Sequence, residues 1–266
     1  MATTPNLSYI LVTRNKLPYL KTALADVIAH REPDEEIVVI DGGSTDGSAE
    51  YLKECLERGE IDQLLSEPDR CIGHGTNKGM LLAKGKLLKT LTDDDIVYYD
   101  HIQKCKAFML EHPEIDVIGM NGITDDEQEY HREEDFLLWK TTPYHPFMFF
   151  ELGAIFRKSS IPLFGLFDTS FVFCDAEYTI RITAGKSRLA WYTGIAWKHV
   201  SNPDSTNIKQ QEVWRRESAR LRQMYPGLYS AWKHHVPRPI RNLIRHFVPK
   251  KRLATAEQSR EPSFLF

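Results

Sequence analysis

Short apolar runs that each stop at a polar cluster constrain this chain more than any other feature. Leu7–Val12 runs into Thr13-Arg14-Asn15-Lys16, and Glu36–Ile40 runs into the small-residue stretch from Asp41 to Ser48. Leu87–Leu91 runs into Thr92-Asp93-Asp94-Asp95. Segments with helical spacing lie between them. In Pro18–Ala29, Leu20, Leu24, Val27 and Ile28 share a face, and Ala49–Leu56 and Asn77–Ala83 follow the same rule. Ile61–Leu65 and Ile115–Gly119 read as further strands and Ile102–Leu110 as a helix. Apolar runs of this length, separated by helices, are parallel strands covered on both faces. An open parallel sheet binds ligands at the carboxyl ends of its strands, where all three polar clusters fall.

The length of 266 residues fits one large α/β domain with an appendage, or two small domains. An apolar fraction of 42% excludes collagen-like and wholly disordered classes. No apolar run approaches the roughly 20 residues of a membrane span. The first residues, MATTPNLSYILV, lack the basic start and small-residue cleavage site of a secretory signal. Cys55, Cys71, Cys105 and Cys174 are widely spaced and read as reduced thiols, which predicts a cytoplasmic protein. Residues 1–225 hold 26 basic and 35 acidic side chains, whereas 226–266 hold 8 and 2. An acidic body argues against a nucleic-acid partner.

After residue 120 the pattern loosens. Residues 125–135 are strongly acidic and read as a solvated loop, with a mobile flap near the acceptor as the sharper alternative. Residues 143–173, rich in aromatics and Pro, predict irregular packed structure; His145 there either packs or lines an acceptor pocket. Asp175–Ala184 and Ile208–Met224 read as helices, the second ended by Pro226-Gly227. In the tail, Ile240, Leu243, Ile244, Phe247 and Val248 share a helical face, with Arg238, Arg241 and Arg245 mostly opposite. A basic amphipathic helix of this kind lies in a membrane interface, and 232–252 is read so, at the inner face of the cytoplasmic membrane. The alternatives are docking on its own domain or on a second copy in a homodimer. The final dozen residues are expected to be disordered.

Three adjacent carboxylates at a strand end repel one another, so a hard divalent cation, Mn²⁺ or Mg²⁺, is their natural partner. Asp residues also cap helices and favour their positive ends. In the Asp41–Gly47 turn, small residues let the backbone approach a ligand, and Asp41 can accept hydrogen bonds from a ribose or base. Asp46 or Ser48 would cap the next helix. Asp168 reads as a turn former.

Taken in order, SYILVTRN (8–15), VVIDGGSTDGS (38–48) and DRCIGHGTNKGMLLAKGKLLKTLTDDD (69–95) resemble glycosyltransferase family 2. That family has the GT-A fold: a Rossmann-like, mostly parallel sheet sandwiched by helices. Gly165-Leu166-Phe167-Asp168 resembles its G-x-F-D turn, and Cys174-Asp175-Ala176-Glu177 with Arg181 its E-D-x-E-x-x-x-R helix. Trp197-Lys198-His199 resembles its strand with a late His. The resemblance covers about residues 7–200. It implies a donor-binding half at 1–120 and an acceptor-binding half at 121–230, with a tail at 231–266.

The resemblance also implies roles. Asp175 is the catalytic base. Asp94, Asp95 and His199 hold the metal. Thr13, Arg14, Asn15, Asp41, Asp69, Asn77, Lys78 and Asp93 surround the nucleotide-sugar. Thr92 replaces the first Asp of D-x-D, Gly42 replaces the second acid of the nucleotide turn, and Cys174 replaces the Glu before the base. The implied reaction is inverting transfer from a nucleoside-diphosphate sugar, UDP above others, to a hydroxyl of a glycan or lipid-linked acceptor in surface polysaccharide, lipopolysaccharide or glycolipid assembly. The rival from a different class is a non-catalytic sugar-nucleotide or glycan binder on the same fold. A nucleotidyltransferase would want a Gly-rich basic loop after the first strand, which VTRNKLPYL does not supply.

Overall fold

The structure is a computed structural model that describes residues 4–124, 129–130, 132–141, 146–185, 187–200, 210–225 and 261–266. The first half alternates strand and helix as the apolar runs require. It comprises β1 (Leu7–Thr13), α1 (Leu17–His30), β2 (Glu35–Asp41), α2 (Ser48–Glu57), β3 (Gln63–Ser66), α3 (Ile72–Leu82) and β4 (Leu87–Leu91). There follow β5 (Ile96–Val97), α4 (Tyr99–Glu111), β6 (Val117–Thr124), β7 (Glu129–Tyr130) and α5 (Glu133–Thr141). The last elements are β8 (Ala154–Arg157), α6 (Ile161–Phe164), α7 (Cys174–Ala184), β9 (Leu189–His199), α8 (Gln211–Met224) and β10 (Phe264–Leu265).

One sheet runs in the order β10-β9-β6-β8-β4-β1-β2-β3. Strands β1–β4 are mutually parallel where they pair. β8 is antiparallel to both β4 and β6, while β6 and β9 are parallel to each other. Alternation along the strands splits the core in two. Tyr9, Leu11, Ile37 and Val39 face α1, α2 and α4, packing on Leu24, Leu52 and Cys105. Ile10, Val38 and Ile40 face the other way, toward Met80 of α3 and Ile180 of α7. All seven residues of β2 are buried, and its centre, Ile37–Ile40, is accordingly an unbroken apolar run.

The stretch at 143–173 is more regular than its composition predicts. It holds β8, α6 and a 3-10 turn at Glu151–Gly153. Phe147, Phe149, Phe164, Phe167 and Phe171 supply core to the second layer. Within the acidic stretch, Glu133–Asp135 begin α5, while 125–128 lie outside the described residues. His145 and the basic stretch 232–252 also lie outside them. The expectation of a disordered C-terminus is corrected at 261–266. Phe264 and Leu265 pair with Tyr192 and Trp191 of β9, and the Phe264 ring stacks on Phe108 with centroids 4.1 Å apart. Ladder pairing of half-buried Phe264 and Leu265, with ring contacts of Phe264 and Phe266 on Phe108, holds a chain end that polar composition would leave free.

β9 carries its far end to the site through Trp197. This indole is held between Gly122 and Gly153, where a Cβ on either glycine would collide with the ring. Its Nε1 donates to Met120 O at 3.3 Å. Gly122→Ala is therefore expected to destabilise the fold by about 1–3 kcal/mol through overpacking. Urea denaturation checks this; an unchanged midpoint would show that the slot is not tight.

Candidate active site

The carboxyl ends of β1, β2 and β4 lie side by side, so the three polar clusters converge. The turn after β1 is made possible by Asn15, the one described non-glycine residue with positive φ, at 53°. Asn is among the few L-residues that visit this region readily. Its side-chain oxygen accepts from Thr45 N at 2.8 Å and its own N–H donates to Ser44 Oγ at 2.8 Å. Asn15 thus ties the first loop to the second. Arg14 is exposed and lies 4.0 Å from the Asp69 carboxylate.

Asp41 is fully buried and is held from its own turn. It accepts from the Ser44 backbone at 3.1 Å, from the Ser44 hydroxyl, and from Ser66 Oγ at 2.6 Å. Asp69 explains Gly42. A Cβ at Gly42 would meet Asp69 Oδ2 at 2.7 Å, and one at Gly75 would meet it at 3.0 Å. The acid missing from the turn is replaced in space by a carboxylate from another loop, whose pKa is raised by burial. Lys78 pairs with Glu67 at 2.9 Å and donates to Pro68 O, which fixes the loop carrying Asp69.

The three Asp residues after β4 diverge. Asp93 accepts from Thr13 Oγ1 at 2.8 Å and lies 3.4 Å from Lys16 Nζ; burial raises its pKa. Asp94 accepts from Lys16 Nζ at 2.9 Å. Asp95 turns toward β9, accepting from Thr92 Oγ1 at 2.7 Å, Val200 N at 2.9 Å and His199 Nδ1 at 2.8 Å. A carboxylate only accepts, so Nδ1 carries the proton and Nε2 is the basic nitrogen of this imidazole. Among the described residues no three His, Cys, Asp or Glu side chains converge on one point. Asp94, Asp95 and His199 are therefore not gathered into one three-ligand cluster. Asp95 fits a carboxylate that orients an imidazole, and Asp94 and His199 are residues that could hold a cation. Two protein ligands suffice for an ion that shares itself with phosphate oxygens.

On the opposite side, Asp175 sits in the first turn of α7, and burial raises its pKa. Its placement depends on Glu217 of α8, whose carboxylate accepts from Val172 N at 2.7 Å and Phe173 N at 2.9 Å. These are donors that a helix start otherwise leaves unpaired. Glu177 and Arg181 form a two-bond pair one turn apart, at 2.9 and 2.7 Å, and Arg181 also donates to the carbonyls of Phe164 and Leu166. Asn77 gives both faces of its amide to Phe167, donating to its carbonyl at 2.9 Å and accepting from its N–H at 2.8 Å. It clamps the G-L-F-D turn. Asp168 is a turn former, accepting from Ser170 N at 2.9 Å.

Sequence reading missed Lys16, Lys89, Glu151 and Glu217. Lys89 is fully buried in β4. Its Nζ donates to the carbonyls of Thr90 and Leu152 at 2.6 Å each, and burial pushes its pKa down to about 7. Glu151, on the 3-10 turn, is pushed up to about 7 by burial and by the neighbouring Asp175 carboxylate. Its Oε1 is buried without a hydrogen-bond partner among the described residues. A lone Lys in an apolar strand was the one available signal for Lys89. Glu217→Ala is expected to cost about 1–3 kcal/mol by leaving two buried N–H groups unpaired. Thermal denaturation checks this, and an unchanged melting temperature would remove Glu217 from the support of α7.

Residues 8–167 match the family described as Glycosyl transferase family 2. A "PGL/p-HBAD biosynthesis glycosyltransferase" of Mycobacterium bovis is 29% identical over 197 residues, 72% of this chain and 75% of that protein. An uncharacterised glycosyltransferase of Haemophilus influenzae is 27% identical over 124 residues, 46% of this chain; the match spans only 50% of that protein. Among solved structures, S. aureus TarS in complex with UDP-GlcNAc superposes with a TM-score of 0.61 at 16% identity. That match covers 80% of this chain and 66% of the TarS chain. The mannosyltransferase PcManGT of Pyrobaculum calidifontis, with GDP-Man and Mn²⁺, gives 0.59 at 17% identity, covering 91% and 69%. At these identities the structures speak to fold alone. The chain belongs to glycosyltransferase family 2 and has its GT-A fold.

Proposed function

We propose that this chain transfers a sugar, with inversion, from a nucleoside-diphosphate sugar to an acceptor hydroxyl, with Asp175 as base. The observation that carries the reading is that the 3-10 turn at Glu151–Gly153 touches both β4, whose end bears one acidic centre, and α7, which bears the other. Asp93–Asp95 with His199 form one, and Asp175 forms the other. Buried Lys89 feels both Asp95 and Glu151, and Glu151 feels Asp175, so the groups share one electrostatic neighbourhood. Asp41 and Asp69 flank the place where a base and ribose would lie. UDP is the donor nucleotide of choice here, supported by the TarS complex with UDP-GlcNAc.

A divalent cation, Mn²⁺ or Mg²⁺, would be held by Asp94 and His199; the PcManGT complex with Mn²⁺ supports it. When bound it supplies positive charge against the negative charge that builds on a leaving diphosphate. The chain's own residues do the rest. A carboxylate oxygen of Asp175 takes the acceptor's hydroxyl proton as that oxygen attacks the anomeric carbon. A single base with in-line attack gives an oxocarbenium-like transition state and an inverted product. Glu217 holds the start of α7 so that Asp175 does not move away. In this reading 1–120 bind the donor and 121–230 the acceptor. The acceptor is a glycan or lipid-linked hydroxyl, in keeping with the name of the mycobacterial relative. No helix among the described residues is long and apolar enough to cross a membrane. Contact of the basic stretch 232–252 with an anionic membrane surface remains part of the proposal on charge and periodicity alone.

Asp175→Asn is expected to bind donor normally while turnover falls by about 10²–10⁴, the usual size of a lost general base. Release of nucleoside diphosphate in the presence of acceptor measures it and separates an enzyme from a sugar-nucleotide binder. Near-normal turnover would remove Asp175 from the chemistry. The base works deprotonated, so kcat/KM falls as pH drops through its pKa. Burial places that acid limb above the roughly 3.9 of an exposed Asp. A pH–rate profile flat down to the ordinary Asp value would contradict this.

A further inference from the structure

Lys16 carries positive charge to the carboxylates at the end of β4. Its Nζ lies 2.9 Å from Asp94 Oδ2 and 3.4 Å from Asp93 Oδ1. The left-handed turn at Asn15 and the start of α1 at Leu17 fix where its side chain leaves the backbone. A quarter of that side chain is exposed, whereas the Asp93 carboxylate beside it is almost closed off. Asp94 is also the carboxylate left to touch a divalent cation once Asp95 has turned to His199.

These two demands on Asp94 conflict. A divalent cation on Asp94 would stand within a few ångströms of the ammonium, and like charges at that range repel strongly in a partly buried site. The ammonium then needs another anion. On the reading that this chain binds a nucleoside-diphosphate sugar, the anion beside Asp94 is the diphosphate itself. We propose that Lys16 is a second cation for the donor diphosphate, its ammonium exchanging between the Asp93–Asp94 pair and the phosphate oxygens. Lys16 weakens the hold of a bare metal ion on Asp94 and strengthens the hold of the diphosphate. It thereby couples the two, so that metal and nucleotide bind together better than either binds alone. The role is binding and charge balance; no bond is made or broken at Lys16.

The test uses the full chain with Lys16→Met and Lys16→Arg. Calorimetry follows UDP and inorganic pyrophosphate with and without Mn²⁺, and electron paramagnetic resonance follows Mn²⁺ alone. Lys16→Met is expected to weaken UDP and pyrophosphate binding at saturating Mn²⁺ by about tenfold, within the usual range of coupling between sites. It is also expected to tighten Mn²⁺ alone by several-fold, and Lys16→Arg should keep most of the wild-type diphosphate affinity. If wild type binds UDP with Mn²⁺ and Lys16→Met binds it equally well, Lys16 plays no part and the proposal is overturned while the donor reading stands. If wild type binds no nucleoside diphosphate of uracil or guanine and no pyrophosphate, the donor reading falls and takes this proposal with it. Should Lys16→Met not fold, Lys16→Gln, which keeps a donor without the charge, serves in its place with the same two outcomes.

Discussion

Three consecutive carboxylates at the end of a buried strand are an electrostatic problem that the surrounding structure is arranged to answer. Each is compensated by a different part of the chain. Asp93 takes the hydroxyl of Thr13 from β1, Asp94 takes the ammonium of Lys16 from the first loop, and Asp95 takes His199 and Val200 from the end of β9. The last of these partners is over a hundred residues away in sequence, so the β4 end ties the first half of the sheet to the second. Lys89, four residues earlier in β4, lies buried beneath them and feels Asp95 as well. Positive charge and hydrogen-bond donors at this corner hold together groups that would otherwise repel.

Glycines do the complementary work of making room. Gly42 and Gly75 leave the space that the Asp69 carboxylate fills, and Gly122 and Gly153 leave the slot for Trp197 that brings His199 to its place. Gly73 does the same for Cys174. The acceptor side is built from longer-range pairings: Glu217 from α8 onto the start of α7, and Asn77 from α3 onto the turn at Phe167. Both put a polar side chain on backbone groups that a turn would otherwise leave unpaired in a buried setting. The site is therefore rigid where it is carried by strand ends and by these clamps.

The parallel half of the fold was legible because burial on both faces writes itself as unbroken apolar runs, as in Ile37–Ile40. The carboxyl ends of those runs pointed to the site for the same reason. What could not be read was pairing across distance. Nothing local distinguishes Asp95, which orients an imidazole, from Asp94 beside it. Asn77 and Asn15 look like plain polar positions in one dimension, and only the fold shows Asn77 bonded to the backbone of Phe167 and the Asn15 side-chain oxygen taking the Thr45 N–H. The substitution of Gly42 for an acid looked like a loss, until Asp69 was found in the space it vacates. Lys16 was overlooked because a Lys after a turn is ordinary; its meaning comes from carboxylates 77 and 78 residues onward. At the C-terminus, polar composition masked Phe264 and Leu265, which pair with β9, and Phe266, which packs on Phe108 and His112 of the α4 end.

The most direct test of the central claim is a crystal structure with manganese and UDP, read by anomalous scattering. The account predicts one manganese peak between Asp94, the basic nitrogen of His199 and the diphosphate, with Asp95 still hydrogen-bonded to the other side of that imidazole. A peak bound by Asp95 in place of Asp94, or nucleotide seated away from the ends of β1, β2 and β4 with no metal beside it, would contradict it.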